Sequence, residues 1–181
     1  MMWANGELSV RKIEEQDAEL LVKWLSDPEV LRFYEGRDHP FNLQKVKETF
    51  FLRETGTHRC IVEWCGQAIG YIQYYVVNDE YRSKYGYEDF EGSLYGMDQF
   101  IGETEFWNGG IGTHLVRSMV TYLLDVEKAD AIVMDPQEWN KRAIRCYEKC
   151  GFTKVRLLPK HEYHEGEYRD CWLIEYKADG L

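Results

Sequence analysis

Four prolines in 181 residues, with no low-complexity tract and no repeat, leave little here for a linker, a rod or a disordered tail. Nowhere do about eighteen apolar residues run together, as a membrane-crossing helix would need. The segment Met1-Met2-Trp3-Ala4-Asn5-Gly6-Glu7 has neither the basic start nor the apolar run of a secretion signal. A soluble, cytoplasmic chain that folds as a single domain over residues 1–181 is therefore expected, long enough to bury a sizeable core. Cysteine is sparse: Cys60, Cys65, Cys146, Cys150 and Cys171 are odd in number and form no C-x-x-C, which argues against a disulfide framework and for a reducing compartment. Cys146 and Cys150, four apart on an expected helix, are read as inert, buried or half-buried thiols. The run His161-Glu162-Tyr163-His164 misses the zinc-protease spacing by one residue, so no metal site is expected.

Positive charge is also short. With 22 basic against 32 acidic residues the net charge is −10, which repels a phosphate backbone, so no nucleic acid is expected as a partner and a cationic small molecule suits the chain better. Acidic and aromatic groups concentrate in one segment, where Asp79, Glu80, Glu88, Asp89 and Glu91 are interleaved with Tyr81, Tyr85, Tyr87 and Tyr95. That mixture fits an amino sugar or polyamine through ion pairing and cation–π contact, and it equally describes a tyrosine-rich solvated loop.

What the chain does have is Trp107-Asn108-Gly109-Gly110-Ile111-Gly112-Thr113, set between an apolar strand-like run and a long amphipathic helical pattern. The first turn of a helix leaves N–H groups without intrahelical partners, and the helix dipole adds partial positive charge there. Glycine at 110 and 112 lets a bulky pyrophosphate approach those amides. No Lys follows Gly112, and Leu115 stands where a dinucleotide fingerprint has its third glycine, so neither of the two common nucleotide motifs is present. Alone, the turn is equally an ordinary glycine-rich helix entry.

Periodicity predicts strands over Glu7–Ile13, His58–Trp64, Ala68–Val77, Leu94–Ile101, Ala131–Met134, Phe152–Leu158 and Tyr168–Tyr176. Helices are expected over Asp17–Leu25, broken by Pro28, over Leu43–Glu54 with Asn42 as cap, over Gly112–Val126 and over Lys141–Cys150, stopped by Gly151. A Cys65-Gly66-Gln67 turn joins two of the strands, and an Asp/Glu-rich loop separates the last two. Strand–helix–strand portions imply an α/β domain with some parallel pairing.

The fourth predicted strand, the W-N-G-G-I-G-T turn and the run Asn140-Lys141-Arg142-Ala143-Ile144-Arg145-Cys146-Tyr147-Glu148-Lys149-Cys150-Gly151-Phe152 together resemble the GNAT acetyltransferases. The second block, N-x-R-A-I-x-x-Y-x-x-x-G-F, is the more specific signal. Within that superfamily, Tyr95–Glu103 and Met134-Asp135-Pro136 are similar to the aminoglycoside 6'-N-acetyltransferases. The tail from Leu158 to Gly166, with Asp170-Cys171, is similar to the acetylating half of the bifunctional acetyltransferase–phosphotransferase of Gram-positive bacteria. Trp107 departs from the superfamily pattern, which prefers Gln or Arg at that point.

The resemblance implies an α/β (α+β) GNAT fold, a mixed central sheet splayed between its fourth and fifth strands and flanked by helices. It implies acetyl-CoA as cosubstrate, no metal, and transfer of acetyl to the 6'-amine of an aminoglycoside, conferring resistance. The pyrophosphate would lie on the amides of Gly110, Ile111, Gly112 and Thr113, and the pantetheine arm would pair along Phe100, Ile101 and Gly102. Asn140 would touch the cofactor, cap the next helix, or do both. Asp98 would accept the proton of the acceptor amine or only orient it, and Tyr147 would protonate the departing thiolate or serve as a core aromatic. Asp135 would meet a second amino group or merely form an Asp-Pro turn. Tyr95, the acids between Asp79 and Glu91, and the loop from Asp27 to Asp38 would complete an anionic cleft. Another amine acceptor, such as a polyamine, an amino acid or a protein N-terminus, and a non-catalytic acyl-CoA-binding module are the competing readings. Monomer and homodimer are both compatible with the sequence.

Overall fold

The computed structural model describes residues 1–52 and 55–178. Its strands are β1 (Trp3–Asn5), β2 (Leu8–Lys12), β3 (His58–Trp64), β4 (Gln67–Val76), β5 (Leu94–Ile101), β6 (Ala131–Met134), β7 (Thr153–His164) and β8 (Glu167–Lys177). Its helices are α1 (Ala18–Trp24), α2 (Pro28–Phe33), α3 (Leu43–Val46), α4 (Asp79–Tyr85), α5 (Ile111–Asp125) and α6 (Lys141–Lys149). The strands hydrogen-bond in the order β1-β2-β3-β4-β5-β6-β8-β7. Pairing is antiparallel for β1–β2, β2–β3 and β6–β8 and parallel for β5–β6, whose connection runs through α5, as a parallel crossover requires. This is the mixed, helix-flanked sheet of the GNAT fold.

The β5–β6 ladder registers Leu94 with Ala131, Tyr95 with Ile132 and Gly96 with Val133. β5 continues to Ile101, while β6 ends at Met134. These are the two strands expected to splay. They are fifth and sixth rather than fourth and fifth because the short β1, unanticipated, folds back on β2 through Gly6, whose φ of 65° suits a tight turn.

Four other segments depart from expectation, each for a local reason. Pro28 starts a helix instead of breaking one: its fixed φ suits the first helical position, and the Asp27 carboxylate accepts the Glu29 N–H at 2.9 Å. Half of the span from Asp27 to Asp38, Pro28–Phe33, is thus helical, and the remainder is turn. Asn42 does cap the next helix, accepting the Lys45 N–H at 2.8 Å. That helix loosens after Val46 into a π-helical turn, Leu52 N–H reaching Lys47 C=O at 3.0 Å, while Arg53 and Glu54 lie outside the described residues. The acidic aromatic segment contains α4, begun by Asn78 accepting the Tyr81 N–H at 2.9 Å and ended by left-handed Gly86. Finally, β7 and β8 form one long hairpin turning at Glu165-Gly166, with φ of 49° and 83°, where an acidic loop was expected. Pro159 is tolerated inside β7 because that strand ends the sheet order and needs no partner on its outer side.

The chain forms two compact units, with β4, β5, α5, β7 and β8 contributing to both. The unit built from residues 1–73, 99–112 and 164–167 has a core of Leu21, Trp24, Leu25, Leu31, Phe41, Val46, Ile61 and Tyr71. Its buried Asp17 is gripped by Arg11 through two contacts of 2.8 Å and by the Glu14 N–H at 2.8 Å, while Arg11 Nε also meets Glu63 at 2.8 Å. Burial raises the Asp17 carboxyl, but these donors outweigh it and hold the group below its ordinary range. The other unit, residues 74–98, 113–163 and 168 onward, packs Val77, Tyr85, Tyr87, Leu94, Ala131, Val133, Leu158 and Leu173.

Candidate active site

The glycine turn is shaped by backbone requirements rather than by packing. Asn108 and Gly110 both have left-handed φ, 61° and 84°, and a Cβ on Gly110 or Gly112 would meet no atom within 4 Å. Packing therefore gives no reason for glycine at 112. The open space lies at the start of α5, where partner-less N–H groups and the positive end of the dipole coincide. Trp107 fixes the turn to the end of β5, its indole N–H donating to Ile101 C=O at 2.8 Å and its ring meeting Phe33 edge-on at 5.7 Å.

The residues expected along the pantetheine arm are held from one side. Phe100 stacks on Tyr71 at 5.6 Å and leans on Tyr34 at 4.6 Å. The Gly102 and Glu103 N–H groups both donate to Ile69 C=O, at 2.8 and 3.1 Å. A Cβ on Gly102 would come within 2.2 Å of the buried Trp24 indole, so this glycine is demanded by packing.

Two carboxylates, Asp98 on β5 and Asp135 just beyond β6, share a pair of tyrosines. The Tyr75 hydroxyl is hydrogen-bonded to Asp98, and the Tyr85 hydroxyl donates to Asp135 Oδ2 at 2.7 Å. Burial first, and then the negative charge of both carboxylates, push both phenols far above their ordinary range, so they remain neutral donors. His161 Nε2 lies 2.8 Å from the same Asp135 Oδ2 and its ring is 5.9 Å from that of Tyr85. Gly96 makes room for Tyr75: a Cβ there would stand 2.5 Å from the phenol ring.

Other expected residues sit elsewhere. Tyr95 is buried, and its hydroxyl points to Glu127 at 3.5 Å, beside Tyr74 and Tyr122, which donate to the same carboxylate at 3.1 and 3.4 Å. No contact links it to Asp98 or Asp135 among those described. Asp79, Glu80, Glu88, Asp89 and Glu91 are all exposed; Glu80 pairs with Lys84 at 2.7 Å and Glu88 accepts from Ser83 at 3.0 Å. From that segment only Tyr85, with Tyr81 packed on it at 5.6 Å, reaches the Asp135 carboxylate.

On α6, Asn140 is the cap, accepting the Ala143 N–H at 3.3 Å. Tyr147 is half-buried and packs edge-on to Phe152 at 6.4 Å. Cys146 is half-buried and Cys150 buried, as expected of them. The Cys146 sulfur lies 3.4 Å from Thr113 Oγ1 in the first turn of α5, and the Cys150 thiol lowers it to about 6 despite burial, with help from Thr113, Lys149 and Arg117. Cys150 is pushed up in exchange.

Comparison with known proteins decides the family. Residues 14–159 match the family described as "Acetyltransferase (GNAT) domain". This chain belongs to the GNAT acetyltransferases. It is 30% identical over 154 residues to "Aminoglycoside N(6')-acetyltransferase type 1" of Klebsiella pneumoniae, covering 83% of this chain and 76% of that one. Its fold superimposes on the aminoglycoside acetyltransferase AAC(6')-Ib in complex with coenzyme A and kanamycin, with a TM-score of 0.76 at 26% identity, covering 94% of each chain. Spermidine N-acetyltransferase from Vibrio cholerae, in complex with CoA and spermine, shares the fold at a TM-score of 0.77 and 17% identity, covering 96% of each chain.

In this GNAT acetyltransferase, Tyr75, Tyr85 and His161 are the residues at the carboxylate pair that sequence reasoning missed. Tyr85 was visible only as one of several tyrosines in an acidic stretch, and the histidine run was weighed as a metal motif and as part of a family-like tail, with no role given to His161. Among the described residues, no group of three or more His, Cys, Asp or Glu is placed to hold a metal ion, and no helix is long and apolar enough to cross a membrane.

Proposed function

We propose that this GNAT acetyltransferase, working as one domain over its whole length, moves the acetyl group of acetyl-CoA to the 6'-amine of aminoglycosides and thereby confers resistance. The observation that carries the substrate reading is that Asp98 and Asp135 both act on the hydroxyls of Tyr75 and Tyr85, two anionic positions suited to a ligand bearing several ammonium groups. The relatives named for aminoglycosides support the same acceptor.

Acetyl-CoA supplies an activated thioester. The helix-start amides at Gly110, Ile111, Gly112 and Thr113 suit its pyrophosphate, and the end of β5 at Phe100 and Ile101, with Gly102 just beyond it, suits an extended arm, with Asn140 at the head of α6. Acetyl transfer needs a neutral amine, because an ammonium has no lone pair. Asp98 accepts the proton, directly or through water, while the neutral Tyr75 donor fixes its carboxylate. Tyr147 gives a proton to the departing thiolate. Asp135 binds a second amino group of the acceptor, and Tyr95 supports the β5 segment that carries Asp98.

Thiol release from acetyl-CoA tests this with kanamycin, an analogue carrying a 6'-hydroxyl, and spermidine. Turnover with kanamycin, not with the hydroxyl analogue, is expected. Asp98→Asn is expected to lower kcat by about 10²–10⁴-fold, the usual worth of a positioned base, with the acetyl-CoA KM unchanged. Turnover of spermidine alone would replace the aminoglycoside reading with a polyamine one.

A further inference from the structure

Asp135 is held in an asymmetric way. Tyr85 Oη donates to its Oδ2 at 2.7 Å and His161 Nε2 sits on that same Oδ2 at 2.8 Å, so both partners crowd one oxygen. The other oxygen, Oδ1, has no hydrogen bond among the described residues. The Asp135 side chain retains 27% exposure and His161 15%, so the pair is sheltered yet open to solvent exchange. A carboxylate clamped on one oxygen offers its second in a fixed direction, which is how a carboxylate is prepared for an ammonium ligand.

The two clamping groups are chemically unequal. Tyr85 is locked neutral by burial and by the surrounding carboxylates, so it is a constant donor. Imidazole is the side chain that changes charge near neutral pH. The groups around His161 are few. Tyr85 of α4 packs on its ring, and Asp135 faces its Nε2. Neighbouring Glu162 is occupied by the Gln137 amide at 2.6 Å. Across on β8, Cys171 is pushed up by burial and by Glu162, Asp135 and Asp170, and Asp170 itself accepts the Lys160 N–H at 2.8 Å. Asp98 acts on the cluster through the shared tyrosines.

We propose that His161 is a positioning residue that sets the charge of the Asp135 acceptor position. When neutral, the imidazole donates to Oδ2 and leaves the carboxylate its full negative charge for an acceptor ammonium. When protonated, it forms an ion pair with Asp135, cancels that charge and weakens polycationic acceptors. Acceptor affinity therefore falls on acidification, whereas protonation of the acceptor amines alone would strengthen their hold on the carboxylates. This inference rests on the reading of Asp135 as an acceptor contact.

The test compares the wild type with His161→Gln, whose side-chain amide keeps a donor for Asp135 and cannot ionise. Kanamycin KM, the calorimetric affinity for kanamycin and acetyl-CoA KM are followed across about pH 5–8, where imidazoles titrate. The quantity read is the slope of acceptor KM with pH, and acceptor ionisation, common to both proteins, cancels in their ratio. The expected result is a rise in the wild-type kanamycin KM about tenfold larger than in His161→Gln, the order of effect of removing one charge from an ion-paired contact, with acetyl-CoA KM parallel in the two. Parallel kanamycin profiles, even with uniformly lower activity in the variant, overturn the inference while leaving the aminoglycoside reading intact. If kanamycin is neither bound nor acetylated but spermidine is, the aminoglycoside reading fails and the spermidine profiles decide this one by the same criterion. If no amine is bound or acetylated, both fail.

Discussion

Gly112→Leu separates folding from cofactor binding with effects of opposite sign. Gly112 lies in the first turn of α5 with an ordinary φ, and a Cβ there meets nothing within 4 Å, so the substitution introduces no clash. Leucine is about 0.8 kcal/mol more favourable than glycine within a helix, which for a chain of this size raises Tm by about 2–3 °C. The added side chain occupies the space through which a pyrophosphate would reach the Gly110–Thr113 amides. Losing two charge-assisted contacts of about 1.5–3 kcal/mol each raises the acetyl-CoA KM by at least about 10²-fold. Gly102→Ala is the contrasting control. Its Cβ would press to 2.2 Å of the fully buried Trp24, an overpacking that costs about 1–3 kcal/mol and lowers Tm by about 3–10 °C. Thermal melting and thiol release at saturating acceptor give both readouts. A Gly112→Leu protein with unchanged Tm and unchanged acetyl-CoA KM would refute the assignment of pyrophosphate to this turn.

Asp17→Ala strips Arg11 of its bidentate partner and is expected to cost about 3 kcal/mol, a fall in Tm of about 6–12 °C. Because the folded carboxyl is depressed, its stabilisation is complete above the unfolded value of about 3.9 and disappears as pH falls through the lower folded value, so the Tm gap between wild type and variant closes only in acid; a gap independent of pH speaks against the pairing. Iodoacetamide at neutral pH is expected to label Cys146, lowered to about 6, before the more exposed Cys65, which limited desolvation and Glu7 hold above its ordinary range. Peptide mapping that finds Cys65 first contradicts the Cys146–Cys150–Thr113 arrangement.

The parts of the molecule legible from sequence are those where local rules act alone. Strand β3 and strand β5 fall within the predicted limits because β-branched and aromatic alternation is bounded by turns, and α6 ends at Lys149, with Cys150 as its cap and left-handed Gly151 turning the chain away. Helix α4 was hidden because its tyrosines and acids look like a solvated loop until Asn78 and Gly86 are seen as its two caps. Pro28 misled because the same ring that breaks a helix interior begins a helix at its first position. The site divides in the same way. The turn from Trp107 to Thr113 is one contiguous motif, so it could be read directly. The partners of Asp135 come from residues 85 and 161, distant in the chain, and only the fold brings their side chains to one carboxylate oxygen. Tyr95 illustrates the converse: adjacency to Asp98 in sequence did not place it on the same cluster, because successive strand residues face opposite sides of the sheet.

The difference in kind between the glycine turn and the side-chain cluster around Asp135 bears on how such an enzyme diversifies. A donor held by helix-end amides and by an extended strand is recognised through atoms that every residue possesses, so point mutation seldom erases it unless bulk is added at a glycine. An acceptor held, as proposed, by Asp98, Asp135 and their tyrosines would be recognised through atoms that single codon changes remove or replace. Drift in the gene can therefore exchange one amine for another while the acetyl supply stays constant, and new drug scaffolds can be met by changes confined to a handful of side chains.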